Sequence, residues 1–300
     1  MSATIAVITR TKNRPVLLKR AMESVANQTF REWLHVVVLD VGVTPAVEEL
    51  VASFVRRDPG RYCVLHNDKP CTIEASSNRA IRETASRYVT SHDDDDAWHP
   101  DFLKKTVQFL EMEKRIPKLA GVITHAVRVV EKVENDRILT IHQEDFNTWI
   151  DCIRLFRMLA INMFPPISFV YRRDALDKVG LYREDLPPLA DWEFNIRFLL
   201  HYEIGVIRER LAFYHHREAD AAAEYSNSVV SELDHHVQWT AVLQNEWLRQ
   251  DLAAGRVGIG AMSYLARHFE ILHMQTEKLI HRDSRSKRSL LNRIFGKAQH

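Results

Sequence analysis

Cysteine is scarce, with only Cys63, Cys71 and Cys152 among 300 residues and no CxxC pair. That excludes a disulfide framework and a thiolate zinc site. No HExxH segment offers a histidine zinc site instead. A metal held here therefore takes oxygen ligands, or histidine together with oxygen. Net charge is also nearly absent, at +1 from 41 Lys and Arg against 40 Asp and Glu. Bulk charge thus draws neither nucleic acid nor an acidic partner. No apolar run reaches the roughly 20 residues that a membrane-spanning helix needs. No basic start leads into an apolar leader segment, and no internal repeat is visible. The expectation is a cytoplasmic protein. What is present is an ordinary globular balance, 46% hydrophobic and 27% charged, enough for a real core. The length suits one large or two small domains, at roughly 100–200 residues each.

The first half alternates apolar runs with helical spacing. Strands are expected at 4–8 (TIAVI), 35–39 (HVVVL), 62–65 and 88–91, and helices at 15–27, 45–56, 74–86 and 101–114. Pro15 suits a first helical position. Such alternation predicts an α/β fold with a mostly parallel sheet flanked by helices. Ligands of such sheets bind beyond the carboxyl ends of the strands, where Asp40 and the run Asp93-Asp94-Asp95-Asp96 fall. Residues 121–133 and 137–142 read as longer strands around a polar turn, and 167–171 as another strand after Pro165-Pro166. A helix is expected at 191–202, and two more, amphipathic, at 229–250 and 261–280. The division expected is 1–216 as the catalytic domain and 217–300 as a helical extension with a basic tail.

Three features carry chemistry. Four consecutive carboxylates repel one another unless a cation or hydrogen-bond donors offset the repulsion. Mg²⁺ and Mn²⁺ favour oxygen ligands, and Mg²⁺ commonly combines one or two carboxylates with substrate phosphates. The plain alternative is a solvated acidic loop or a helix start. The run is nevertheless squeezed between a buried-looking strand and Ala97-Trp98-His99-Pro100, which makes it a tight turn. Asp191, in Leu189-Ala190-Asp191-Trp192-Glu193, reads either as a helix N-cap or as a general base. Tyr214-His215-His216 reads as a hydrogen-bonded surface element or as a metal or phosphate ligand.

In this order, these features resemble family 2 glycosyltransferases with the GT-A (Rossmann-like) fold. The segments that carry the likeness are IAVITRTKNR at 5–14, AMESVANQTF at 21–30, VVVLDVG at 36–42, ASSNRAI at 75–81, HDDDDAWHPDFL at 92–103 and GLYREDLPPLADWEFNIR at 180–197. The likeness covers roughly residues 3–216. It implies an inverting, metal-dependent sugar transfer from a nucleotide-sugar, UDP- or dTDP-linked, to a hydroxyl of a glycan or lipid-linked acceptor in surface polysaccharide synthesis. Asp191 would be the catalytic base. Thr11, Asn13, Arg14, Asp40, Asn78, Asp93 and Asp94 would face the donor, with Asp40 on the nucleobase and Asp93 on the ribose side. Asp95, Asp96 and His216 would hold Mn²⁺ or Mg²⁺. The chain departs from the family pattern at Arg10, usually Pro, at Val41 and Val43, usually Asp and Ser, at Ser77, usually Arg, and at Ala190, usually Glu.

Beyond 230, Leu233, Val237, Trp239, Leu243, Trp247 and Leu248 mark an apolar helix face. That face could pack on the catalytic domain or pair two copies of the chain. The end of the chain combines Arg282, Arg285, Lys287, Arg288, Arg293 and Lys297 with Leu290, Leu291, Ile294 and Phe295. It reads as a solubilising tail or as a peripheral membrane contact at an anionic surface. Two rival functions remain. One is a nucleotidyltransferase, which the glycine-free loop Arg10–Arg14 disfavours. The other is an inactive nucleotide-binding scaffold, against which the retained aspartates speak.

Overall fold

The structure is a computed structural model that describes residues 3–135, 137–186, 189–217, 233–255, 258, 260–272 and 274–276. It divides into two compact units, Met1–Met158 with Asn162–Ala241, and Leu159–Ile161 with Val242–His300. The basic tail from 281 onward and the alanine-rich stretch after His216 lie outside the described residues. No described helix is long and apolar enough to cross a membrane.

The first unit is built on a nine-stranded sheet. Its first half is a βαβ series: β1 (Ala3–Thr11), α1 (Pro15–Ala26), β2 (Trp33–Leu39), α2 (Pro45–Arg57), β3 (Tyr62–His66), α3 (Ile73–Glu83) and β4 (Ser86–Ser91). Pro15 opens α1 as its sequence suggests, and Leu17, Leu18, Ala21, Met22 and Val25 bury one face against the sheet. Thr72 caps α3, its hydroxyl accepting the Ala75 N–H at 3.2 Å. That helix ends at Glu83, short of the expected 86, because Ser86 already pairs with Ala3. Strands β1 to β4 pair in parallel. β1 and β2 are buried almost throughout, as strands covered on both faces must be.

The second half changes pattern. It comprises β5 (Ala97–Trp98), α4 (Phe102–Met112), β6 (Leu119–Glu134), β7 (Arg137–Asp145), α5 (Leu155–Ala160), β8 (Phe169–Arg172), α6 (Leu176–Val179), α7 (Ala190–Leu199) and β9 (Glu203–Arg217). The sheet order is β3-β2-β1-β4-β8-β6-β9-β5, with β7 on β6. β8 runs antiparallel to both β4 and β6, so the sheet is mixed: parallel in its first half, and joined to the rest by an inverted strand. β8 begins at Phe169, two residues later than expected, because Pro166–Ser168 forms a 3₁₀ turn. β6 and β9 run parallel from Leu119 opposite Glu203 to Glu131 opposite Arg217, with register shifts along the way. Gly121 on β6 leaves room for Phe169, whose ring would lie 2.6 Å from a Cβ at that position.

In the second unit, Leu243 and Ala266 are buried. Leu243 belongs to helix α8 (Leu233–Ala253), and residues 260–272 are helical as well. Ser263 donates to the Leu159 carbonyl at 3.0 Å and pairs with Gln244 at 3.3 Å.

Candidate active site

The parallel register aligns the carboxyl ends of β1, β2 and β4: Thr11 lies opposite Leu39, and Ile8 opposite Ser91. Three loops therefore meet at one edge. The aspartate run is a tight turn, closed by the Asp96 amide on the Asp93 carbonyl at 3.2 Å. β5 follows at once and pairs Ala97 with Phe213. This lays the turn beside the end of β9, where the His215 amide donates to Asp96 Oδ1 at 2.8 Å.

Within the turn, the four carboxylates have different fates. Asp94 accepts from Thr11 Oγ1 at 2.7 Å and is paired with Arg14. Asp95 is held by Arg14 at 3.2 Å and by the fully buried Arg217. Oxygens of Asp93, Asp95 and Asp96 lie within 4.8 Å of one another. Asp96 Oδ2 is buried with no hydrogen-bond partner among the described residues. His216 does not belong to this close group. Its ring stands edge-on to Tyr214 at 4.2 Å, and both its nitrogens are buried without a partner among the described residues.

These environments set the proton affinities. Burial and the charges of Asp95 and Asp94 push Asp93 up to about 7. Burial, then Asp95 and Asp93, raise Asp96 well above the usual carboxylate range. Burial also raises Asp94, though Arg14 opposes it. Asp95 goes the other way: burial works against its charge, but Arg14 and Arg217 outweigh it and lower the value. Burial takes His216 down to about 4, helped by Arg128.

Behind the turn stands a group that residue-by-residue reading of the sequence misses. Glu131 on β6 is buried and lies opposite Arg217 in the β6–β9 register. It accepts from Arg217 at 2.9 Å, from Arg20 at 2.6 Å and from His215 Nδ1 at 2.7 Å. Burial opposes its charge, but His215 and Arg20 bring it down to about 2. Arg20 also donates to the Asp95 carbonyl. The one legible signal was parity: Glu131 follows Val127 and Val129 on the buried side of β6.

Asp191 lies on the first turn of α7, one residue inside a helix whose cap position is Leu189; it is therefore not an N-cap. Its Oδ1 accepts the Trp192 amide at 2.7 Å and its Oδ2 accepts Asn162 Nδ2 at 2.7 Å. Burial raises it to about 6. Its charge also acts on Asp93 and on Tyr214, and Tyr214 feels Asp96, Asp93 and Asp95 as well. Asp191 and the aspartate turn thus share one electrostatic environment.

The other expected residues flank this centre. Asp40 is paired with Arg10 and accepts the Val41 amide at 3.0 Å. The residue that replaces the usual Pro thus occupies the carboxylate expected at the nucleobase. Asn13 bridges to the turn after β2, donating to the Gly42 carbonyl at 3.0 Å and accepting from the Thr44 amide at 2.8 Å. Gly42 there has φ of 77°, a conformation that favours glycine. Asn78 is buried in α3 and grips the Tyr182 backbone and the Glu184 carboxylate, tying α3 to the segment before α7.

The sequence model described as "Glycosyl transferase family 2" matches residues 6–180. The chain belongs to glycosyltransferase family 2. An uncharacterized glycosyltransferase of Methanocaldococcus jannaschii is 26% identical over 212 residues, which is 70% of this chain and 70% of that protein. Among solved structures, S. aureus TarS 1-349 in complex with UDP-GlcNAc superposes with a TM-score of 0.53 at 20% identity, covering 73% of this chain and 60% of that one. The mannosyltransferase PcManGT of Pyrobaculum calidifontis, in complex with GDP-Man and Mn²⁺, gives 0.53 at 16% identity over 71% of this chain and 57% of its own. At these identities the two structures establish the shared GT-A fold alone. This family 2 chain spans about 60% of the length of the TarS chain.

Proposed function

We propose that the chain transfers a sugar from a nucleotide-sugar, UDP- or dTDP-linked, to a hydroxyl of a glycan or lipid-linked acceptor. A divalent cation, Mn²⁺ or Mg²⁺, sits at Asp93, Asp95 and Asp96, and Asp191 acts as base. The observation that carries this reading is the partition of carboxylates at the strand ends. Five carboxylates, Asp93, Asp94, Asp95, Asp96 and Glu131, gather about three guanidiniums, those of Arg14, Arg20 and Arg217, which pair with Asp94, Asp95 and Glu131. Fully ionised, they leave two negative charges uncompensated.

The fit to a hard divalent cation rests on three features. The ligands are carboxylate oxygens, which Mg²⁺ and Mn²⁺ favour. Asp96 Oδ2 is buried and unpartnered among the described residues. Asp93 and Asp96, which hold their protons tightly, lie in the same close group. Such an ion, when bound, supplies positive charge against a diphosphate leaving group. His216, outside the close group, is better suited to line the site beside Tyr214 than to ligate.

The chain's own residues do the rest. Arg14, on Asp94 and Asp95, holds the turn in place against its own repulsion. Thr11 fixes Asp94 from the end of β1. Asp191 takes the proton of the acceptor hydroxyl as that oxygen bonds to the anomeric carbon and the bond to the diphosphate breaks. Attack opposite the leaving group inverts that centre. A base near pH 6 is suited to this, being ionised at neutral pH yet a competent proton acceptor.

Asp191→Asn tests the reading. Donor binding should persist while transfer falls by about 10²–10⁴-fold, the usual contribution of a positioned base. Undiminished transfer by the variant would remove Asp191 from the role.

A further inference from the structure

We propose that Asn195 and Asn162 form an amide relay that presents an N–H donor to Asp191, and so positions the base and sets its proton affinity. This rests on the reading of Asp191 as the base.

An asparagine side chain has two unlike ends, and either can face a neighbour. Asn162 turns its donor end to Asp191, with Nδ2 at 2.7 Å from Oδ2. Its carbonyl end is occupied: Asn195 Nδ2 donates to Asn162 Oδ1 at 3.2 Å. Asn195 stands one helical turn beyond Asp191 on α7 and is only 3% exposed. It lies among Phe194, Ile196 and Phe198, which are buried to 1% or less. A buried amide in such surroundings needs a partner, and the partner found here fixes the orientation of Asn162. Flipping Asn162 would set its carbonyl oxygen against a carboxylate and leave the Asn195 donor facing an NH₂ group. Trp192 pins the same helix turn by donating Nε1 to the Met158 carbonyl at 2.6 Å. The Trp192 amide occupies the other oxygen of Asp191. Each carboxylate oxygen thus carries one fixed donor and keeps lone-pair capacity for an incoming hydroxyl.

The relay matters because the acidic groups and phenols whose charges bear on Asp191 do not favour its ionised form. Glu74 on α3 raises its proton affinity. Asp93, Tyr182 and Tyr214 share its field and are acidic groups or phenols. Against burial, the groups favouring the carboxylate are Asn162 and the backbone amides of Trp192 and Asp191. Among the described residues Asn162 is the side chain that donates to Asp191, and it is oriented from α7 itself. The pair thus makes Asn162 and Asn195 positioning residues, acting through Asp191.

The test is a ¹³C-carboxyl NMR titration of the full chain with labelled aspartate and without metal, the Asp191 signal being assigned by its loss in Asp191→Asn. Asn162→Ala should move the Asp191 midpoint upward by about one unit, the scale of one charge-assisted hydrogen bond. Asn162 is exposed, so this variant keeps its fold, and a melting curve checks it. Asn195→Asp should raise the midpoint further, because an acceptor at 195 draws the Asn162 amide away and turns its carbonyl toward Asp191. Asn195→Ala should fall between wild type and Asn162→Ala. An unchanged midpoint in Asn162→Ala, or an Asn195→Asp midpoint equal to wild type, would overturn the relay. The titration needs no substrate. Failure of the relay therefore leaves the transfer test of Asp191→Asn untouched, and failure of that test leaves the titration readable.

Discussion

Asp95 and Glu131, compared with Asp93 and Asp96, are like them withdrawn from water to some degree. Burial alone would raise every one of them. The first two are nonetheless held low, by Arg14 and Arg217 at Asp95 and by His215 and Arg20 at Glu131. The second two are raised, because their near neighbours are one another and Asp95. The guanidiniums come from the start of α1, from its interior and from the end of β9. They pair with Asp94, Asp95 and Glu131 and, among the described residues, leave Asp93 and Asp96 bare of any ion pair. Asp95 is held by guanidiniums and also lies close to Asp93 and Asp96, whereas Asp93 and Asp96 ionise only at a cost that an added cation would offset. Asp191 likewise has a raised proton affinity, and among the described residues its oxygens accept from amide donors.

Removing the scaffold charge should have the largest effect on stability. Glu131→Ala leaves Arg217 and Arg20 buried against a missing partner, and breaking such a pair costs about 3–5 kcal/mol. Thermal melting should fall by roughly ten degrees for a unit of this size. A melting point within a degree or two of wild type would mean that Glu131 holds nothing together.

The bare carboxylates should respond in the opposite sense. Asp96→Asn replaces a carboxylate disfavoured by burial and by its neighbours with a neutral amide, whose oxygen can still accept the His215 N–H. The metal-free variant should melt higher than wild type at neutral pH, while the stabilisation gained from Mn²⁺ shrinks. Asp95→Ala, which the sequence alone suggests would relieve repulsion at no cost to the fold, should instead melt lower, because Arg14 and Arg217 lose their partner. If Asp96→Asn melted lower and kept the full Mn²⁺ shift, the division into held and bare carboxylates would fail.

The smallest effect is a pH signature of Asp191. As the proposed base it would act ionised, so transfer should rise with pH along an acid limb centred near 6. The linkage to stability runs the other way. A proton held more tightly in the folded state contributes stability below the ordinary carboxyl value, and that contribution is lost as pH climbs through about 6. Asp191→Asn should therefore gain stability above pH 6 while losing transfer. A flat profile between pH 5 and 7 would contradict the raised value.

Much of this was legible in the chain. The βαβ alternation, Pro15 at the start of α1, and the aspartates beyond strand ends follow from local periodicity and turn chemistry. β9 was harder. Its apolar residues, Ile204, Val206 and Ile207 and then Leu211–Phe213, are split by Arg208, Glu209 and Arg210; pairing with β6 makes a single strand of Glu203–Arg217. The charge partners were least visible. Arg217 meets Asp95 across 122 positions, and Glu131 meets Arg20 across 111. No spacing rule spans such separations: the β6–β9 register sets Glu131 opposite Arg217, the β5–β9 pairing lays the aspartate turn beside β9, and Arg20 comes from α1. Asn162 and Asn195 were hidden for the same reason, since an asparagine's role depends on which end it presents.

The most direct measurement is a thermal-shift panel of UDP, dTDP, GDP and CMP with the full chain, each with and without Mn²⁺, run beside Asp96→Asn. A nucleotide at about 100 times its dissociation constant adds roughly 2.7 kcal/mol of stability, enough to read as a shift. The account predicts a shift for UDP or dTDP that needs Mn²⁺ and is lost in Asp96→Asn. A shift of equal size without metal, or one that survives intact in Asp96→Asn, would contradict the claim that the bare carboxylates hold the ion on which the donor sits.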